Sequence, residues 1–432
     1  MDSSPLYSFL KPAFKSLSAV LADDADFQAS AAGVQVDFGI SAHGSDKVVL
    51  MSVGRNSVTV REAKSSDATF TLSARQDDWE KFFQSPPPRF YQSYWGLLRT
   101  FAGVEGVCIL GDSSLFSKHA RIWRIVLDRI RDCLARAPTI AIEDVPEVEL
   151  EDDSIVGRYT WIDLPKWGKC KIFYETSGDG SQDLLFLHTA GADSRQSHSV
   201  MNNKEMQARS RMFAFDLPNH GRSYPASKIS PDGFALDEEM YIDVIVAMIQ
   251  KLKLNKPVLC GASMGGQVCI AAAIRAKELG LGGVIPLEGC ANIPATPSIY
   301  EAAGEESMLN PERVCGMISP TAPEYYRRLI WWIYSSQGLK VFPGDLRFYF
   351  GGWDGTSRLK EIDTSTCPVY MLTGEYDYSC SYEMSEKTAK QIPGAVCEKM
   401  QGLGHFPITE DPERFMPHML KALDHIQKHR TT

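Results

Sequence analysis

Pro257-Val258-Leu259-Cys260-Gly261-Ala262-Ser263-Met264-Gly265-Gly266 decides the fold of this 432-residue chain. Pro257 to Cys260 is a short apolar run. The small-residue stretch Gln267-Val268-Cys269-Ile270-Ala271-Ala272-Ala273-Ile274 follows the glycines. An apolar strand therefore runs into Gly-x-Ser-x-Gly and leaves it as a helix. So tight a turn leaves almost no room for side chains two residues before and two after the serine. Gly261 and Gly265 meet that demand. The turn holds Ser263 at a strained backbone angle with its hydroxyl raised above the sheet, as a nucleophile requires. The Met264 amide then points to where a negative oxygen would form, so Met264 is a candidate oxyanion donor. Gly266 and the alanines let the helix approach the neighbouring strands.

The rest of the composition narrows the field. The chain is 44% hydrophobic and 23% charged, ordinary for a soluble protein, and long enough for more than one domain. A net charge of −9 argues against nucleic acid as partner, because binding phosphates needs a basic face. No apolar run approaches the length of a membrane span, and Met1-Asp2-Ser3-Ser4-Pro5 lacks the layout of a signal peptide. The ten cysteines are scattered without CxxC pairs, which reads as free thiols in a reducing, cytoplasmic setting. No cofactor loop and no metal cluster is visible.

The first third reads as an α+β domain over residues 1–140. Val34-Gln35-Val36-Asp37-Phe38, Val48-Val49-Leu50-Met51, Ser57-Val58-Thr59-Val60 and Ala68-Thr69-Phe70-Thr71-Leu72 are strand candidates. The last two alternate polar and apolar, which suits antiparallel strands with one wet face. Asp77 to Phe83 reads as a short helix with an acidic first turn, ended by Pro86-Pro87-Pro88. Val107 to Leu110 is a further strand. From Ser114 a long helix carries Phe116, Ala120, Trp123, Val126, Leu127, Ile130 and Leu134 on one stripe. Arg121, Arg124, Arg129 and Arg131 are expected on a solvated face. Residues 25–137 resemble a sterol-carrier-protein-like domain, and that resemblance implies an apolar tunnel. Such a module can also serve as a scaffold or dimer surface, so a homodimer is one expectation. Residues 141–154, acidic and interrupted by Pro146, read as the linker.

From residue 155 strands and helices alternate, the mark of an α/β fold. Asp183-Leu184-Leu185-Phe186-Leu187 is a buried strand ending in His188-Thr189-Ala190-Gly191-Ala192. Arg211 to Asp216 is the next, followed by Leu217-Pro218-Asn219-His220-Gly221-Arg222-Ser223. Cys367 to Thr373 ends in Gly374-Glu375-Tyr376-Asp377, and Ala395 to Met400 runs into Gly402-Leu403-Gly404-His405-Phe406-Pro407. Residues 291–355 interrupt the alternation with aromatics, among them Trp331, Trp332, Tyr334 and Tyr349.

With these motifs, residues 155–428 resemble the α/β-hydrolase superfamily. The resemblance implies a doubly wound sheet with a core at 155–290 and 356–432 and a helical cap at 291–355. It implies a triad of Ser263, Asp377 and His405 in that order, with Glu288 as a backup acid and Glu375 as a helper at most. The second oxyanion amide would come from Ala190, or alternatively Thr189; the usual glycine after the histidine is Thr189 here. Asn219 replaces a glycine in the Asp-x-Pro-Gly-His-Gly-x-Ser turn, where His220 reads as structural. His188, Trp331, Trp332, Tyr334 and Phe406 are the expected substrate contacts. Gly-x-Ser-Met-Gly-Gly plus a cap is also similar to the meta-cleavage-product carbon–carbon hydrolases, which usually carry Trp where this chain has Phe406.

These readings converge on a serine hydrolase. It would cleave an ester, lactone or thioester of a bulky apolar or aromatic, polyketide-like small molecule through an acyl-enzyme. Hydrolysis of a carbon–carbon bond, as in a β-diketone, is the near alternative. A non-catalytic ligand-binding protein on the same fold is the distant one.

Overall fold

A computed structural model describes residues 3–54, 57–97, 107–135, 145–295, 306–338 and 340–430. The chain divides into two compact units. The first joins Met1–Glu143 with Ser298–Thr321, and the second joins Asp144–Pro297 with Ala322–Thr432. Residues 291–355, expected as one insertion on the core, are thus divided between the units; 296–305 and 339 lie outside the described residues. So do 141–144 of the expected linker, while Glu147–Leu150 forms a 3-10 turn.

The first unit holds a five-stranded sheet of β1 (Gln35–Ala42), β2 (Lys47–Gly54), β3 (Ser57–Lys64), β4 (Phe70–Ala74) and β5 (Cys108–Gly111), in the order β3-β2-β1-β4-β5. β3 pairs antiparallel with β2, as expected. β4 meets expectation in part: it pairs antiparallel with β5 but parallel with β1, and it is buried along its whole length instead of having one wet face. Its polar positions are Thr71 and Ser73, small enough to sit inside a covered sheet. The long helix from Ser114 is broken at His119 into Ser113–Lys118 and Ala120–Ala135. Its apolar stripe seats Phe116 and Trp123 in stacked contact, centroids 5.0 Å apart.

The arginines of that helix are not a solvated face. Arg121 and Arg124 both reach the buried Glu312 on the helix Glu306–Cys315. Arg129 pairs with Asp24 at 2.7 Å. Arg131 is buried, with its guanidinium over the Phe82 ring and its donors on the Phe82 and Tyr91 carbonyls. Acids far away in sequence collect these charges, so local periodicity could not show it.

The second unit is an eight-stranded sheet: β6 (Val156–Leu164), β7 (Gly168–Ser177), β8 (Gln182–Leu187), β9 (Ser210–Phe215), β10 (Val258–Ala262), β11 (Gly283–Leu287), β12 (Tyr370–Gly374) and β13 (Val396–Met400). The spatial order is β13-β12-β11-β10-β8-β9-β7-β6. β8 to β13 run parallel to one another within this sheet, while β7 pairs antiparallel with both β6 and β9. β8, β10, β11 and β12 are buried along their length, so they read as continuous apolar runs rather than alternations. All parallel strands end at one edge. The turns after β8, β10, β11, β12 and β13 therefore gather there, as ligand-binding loops do in open α/β sheets. The helices Glu324–Ser335 and Val341–Tyr349 belong to this unit. Among the described residues, no helix is long and apolar enough to cross a membrane.

Candidate active site

Ser263 sits between β10 and the helix Met264–Ile274 at φ 58°, ψ −118°. Such a conformation costs a non-glycine residue about 1–3 kcal/mol and persists only where neighbours enforce it. Here the Ser263 N–H donates to the Leu287 carbonyl of β11 at 2.9 Å. A Cβ on Gly261 would stand 2.8 Å from Leu187 Cβ, so glycine is required there.

Asp377 follows β12 and His405 follows β13, both fully enclosed. Asp377 Oδ1 accepts the Ser379 N–H at 2.6 Å, and Oδ2 accepts that of Cys380 at 3.3 Å. His405 Nδ1 lies 2.9 Å from Asp377 Oδ2, with the ring turned so that its N–H does not follow that line. Burial alone would raise the Asp377 carboxyl, but the attraction of His405 and the surrounding hydrogen bonds hold it below its usual range. Glu288, after β11, is fully buried beside it and receives the Gly374 N–H on both oxygens, at 2.9 and 3.1 Å. Burial, then the Asp377 charge, pushes Glu288 well above the carboxylate range. Environment thus drives the two acids apart, Glu288 toward its neutral form and Asp377 toward its charged one. Glu410 accepts the Gly404 and Phe406 amides and brackets the His405 turn.

The turn after β8 holds Thr189 and Ala190, the residues expected to offer a second amide. The Thr189 N–H donates to Gln196 Oε1 at 3.0 Å, and the Gly191 N–H to Asp345 Oδ2 at 2.7 Å. Both amides flanking Ala190 are therefore occupied. The Met264 amide lies in the first turn of its helix, where no intrahelical acceptor exists. His188 donates from Nδ1 to the Thr189 carbonyl at 2.8 Å and accepts the Leu217 N–H on Nε2 at 3.2 Å, which fixes its neutral tautomer. Burial, and then the neighbouring His220, lower its pKa to about 4.

Of the expected substrate contacts, Tyr334 and Phe406 come together, with ring centroids 5.7 Å apart. The Tyr334 hydroxyl pairs with Thr189 Oγ1, and Phe406 meets the His405 ring edge-on. Trp331 is half-buried, and Trp332 is 54% exposed with the Arg195 guanidinium 4.2 Å from its ring centre. Asn219, in place of the usual glycine, adopts φ 72°, a region asparagine tolerates.

Sequence reasoning did not single out Tyr349. It is buried, with Oη 3.1 Å from Ser379 Oγ and within hydrogen-bonding reach of Ser263. Its only sequence signal was membership of the aromatic-rich stretch. Gln196, Asp345 and Glu410 gave no signal at all, because each acts on backbone amides distant in sequence or exposed only by the turn.

Residues 184–417 match the model of the alpha/beta hydrolase family, more than half of the chain. The chain belongs to that family and is a hydrolase of its fold. None of the match falls on residues 1–143. A Haemophilus influenzae protein with the provisional name esterase/lipase is 23% identical over 248 residues, 53% of this chain and 79% of its own. The pimeloyl-[acyl-carrier protein] methyl ester esterase of Nitrosomonas europaea is 22% identical over 264 residues, 57% of this chain and 96% of its own. Among solved structures, a thermophilic esterase from Thermogutta terrifontis shares the fold at a TM-score of 0.54 and 23% identity. That alignment covers 62% of this chain and 99% of the other.

Proposed function

We propose that the protein is a serine hydrolase that cleaves a carboxylic ester, lactone or thioester through an acyl-enzyme. The observation that carries this is Ser263 on a strained turn, at the same sheet edge as the 2.9 Å His405–Asp377 approach. A serine hydroxyl is a weak nucleophile until a base takes its proton. His405 takes it, and Asp377 fixes the ring and steadies the imidazolium. The serine oxygen bonds to the carbonyl carbon, and the carbonyl oxygen gains the charge. The Met264 and Ala190 amides meet that charge, the Thr189 amide being taken by Gln196. The tetrahedral species collapses, His405 returns its proton to the departing alcohol or thiol, and water then repeats the sequence to free the acid.

Tyr334 packs against Phe342 and Phe406, ring centroids 6.0 and 5.7 Å apart, and Tyr349 lies within reach of Ser263; these aromatic side chains support a bulky apolar acyl group. The methyl ester named for the Nitrosomonas europaea relative supports ester over carbon–carbon cleavage. All ten cysteines are free thiols, which fits a reducing cytoplasm.

Ser263→Ala tests the reading, with p-nitrophenyl acetate turnover and fluorophosphonate labelling as readouts. Both should vanish. Turnover and labelling at the level of the unaltered protein would overturn the assignment, and a product without alcohol or thiol would exclude ester cleavage.

A further inference from the structure

We propose that Asp345 is a positioning residue for the oxyanion amide, acting from the helix Val341–Tyr349 through the backbone of Gly191. The inference rests on the reading above, in which Ala190 supplies that amide.

Asp345 is fully buried. Its Oδ2 receives both the Gly191 N–H at 2.7 Å and His220 Nε2 at 2.8 Å. Its Oδ1 has no hydrogen-bond partner among the described residues. A buried carboxylate oxygen left bare is rare and asks for an explanation beyond stability. On the other side of Ala190, the Thr189 N–H is held by Gln196. Side chains thus fix the peptide groups on both sides of Ala190. The same helix also closes on Gly191 directly. Gly191 has φ +63°, and a Cβ there would lie 2.5 Å from a Phe342 ring carbon.

His220 completes the device. Its Nδ1 lies 2.9 Å from the Pro218 carbonyl, and its Nε2 faces Asp345. Both ring nitrogens thus face oxygen atoms. Burial opposes a charge on the ring, but Asp345 beside it raises the pKa above the ordinary histidine value. Asp345 and His220 pair within the core, and the same carboxyl oxygen holds the Gly191 amide. An oxyanion donor accelerates a reaction only when it is aimed before charge develops. Gln196 and Asp345 do the aiming here. Asp345 touches no reacting atom, and its effect passes through the loop.

The test uses the full chain, p-nitrophenyl acetate as substrate and phenyl trifluoromethyl ketone as a probe that forms a serine hemiketal oxyanion. Asp345→Leu should lower kcat by about 10- to 100-fold with KM little changed, short of the about 100- to 1000-fold for a donor removed outright. Ketone affinity should fall by the same factor, while end-point fluorophosphonate labelling stays stoichiometric. Asp345→Asn keeps an acceptor toward Gly191 and should retain most of kcat. Should Asp345→Leu not fold, His220→Phe/Asp345→Leu replaces the buried pair without leaving an unpaired charge and carries the same expectation. A folded Leu variant with kcat and ketone affinity within about threefold of the unaltered protein overturns the proposal. So does a loss confined to KM. If the unaltered protein is not labelled at Ser263, the hydrolase assignment fails instead.

Discussion

Gly266→Ala adds one methyl group at the tightest point of the nucleophile turn. The new Cβ would stand 2.2 Å from the Leu287 carbonyl oxygen. Such atoms rest at about 3.5 Å, so strand and helix must part by roughly 1 Å. Neither can yield by a rotamer change, because the clash is with backbone. Overpacking of this kind costs about 1–3 kcal/mol, and for a unit of this size each kcal/mol lowers Tm by about 2–4 °C. The Leu287 oxygen also accepts the Ser263 N–H at 2.9 Å, so the nucleophile moves with it. A displacement near 1 Å costs about 100-fold in rate. The measurements are calorimetric unfolding and p-nitrophenyl acetate kcat/KM, with Gly233→Ala as control, since nothing lies within 4 Å of a Cβ there. The control should melt unchanged or slightly higher. If Gly266→Ala melts within about 1 °C and turns over within about twofold, the close approach does not set the serine's geometry.

Other outcomes can be checked alongside. His188 is buried neutral with its pKa near 4, so the unfolded chain binds more protons between the ordinary histidine value and 4. Its contribution is fully present above about pH 6.5 and is lost as pH falls toward 4, by up to about 2–3 kcal/mol. Urea midpoints at neutral and acidic pH should show the drop, and His188→Gln should flatten it. Glu312→Ala strips Arg121 and Arg124 of a shared buried acid and should destabilise the first unit by about 2–3 kcal/mol, read by chemical unfolding. Trp332→Ala removes a largely exposed ring and should leave KM for p-nitrophenyl acetate within about twofold; a larger rise would return Trp332 to the substrate wall.

Much of the second unit was legible because its parallel strands are buried on both faces and its turns carry glycine. Val258–Ala262 and Tyr370–Gly374 lie where apolar runs stood, and Val396–Met400, half-buried and carrying Glu398 and Lys399, falls within the expected last strand Ala395 to Met400. The residues after them could be assigned in order because strand ends converge on one edge. What the chain concealed was long-range charge. The arginines of Ala120–Ala135 look solvated until Glu312 and Asp24 arrive from elsewhere. Tyr349 and Asp345 were equally opaque, because helical spacing says nothing of which amide or hydroxyl a side chain will meet. The parallel pairing of Phe70–Ala74 escaped notice because alternation fixes a strand's faces and not its direction.

The detour of Ser298–Thr321 shapes how the molecule is born. During synthesis the first unit emerges early, yet it lacks a segment that the ribosome delivers only after β11 of the second. Until residue 321 clears the exit tunnel, Arg121 and Arg124 wait for Glu312. A gene cut anywhere between the units in sequence order would therefore yield two fragments, one missing a helix and the other carrying a stray one.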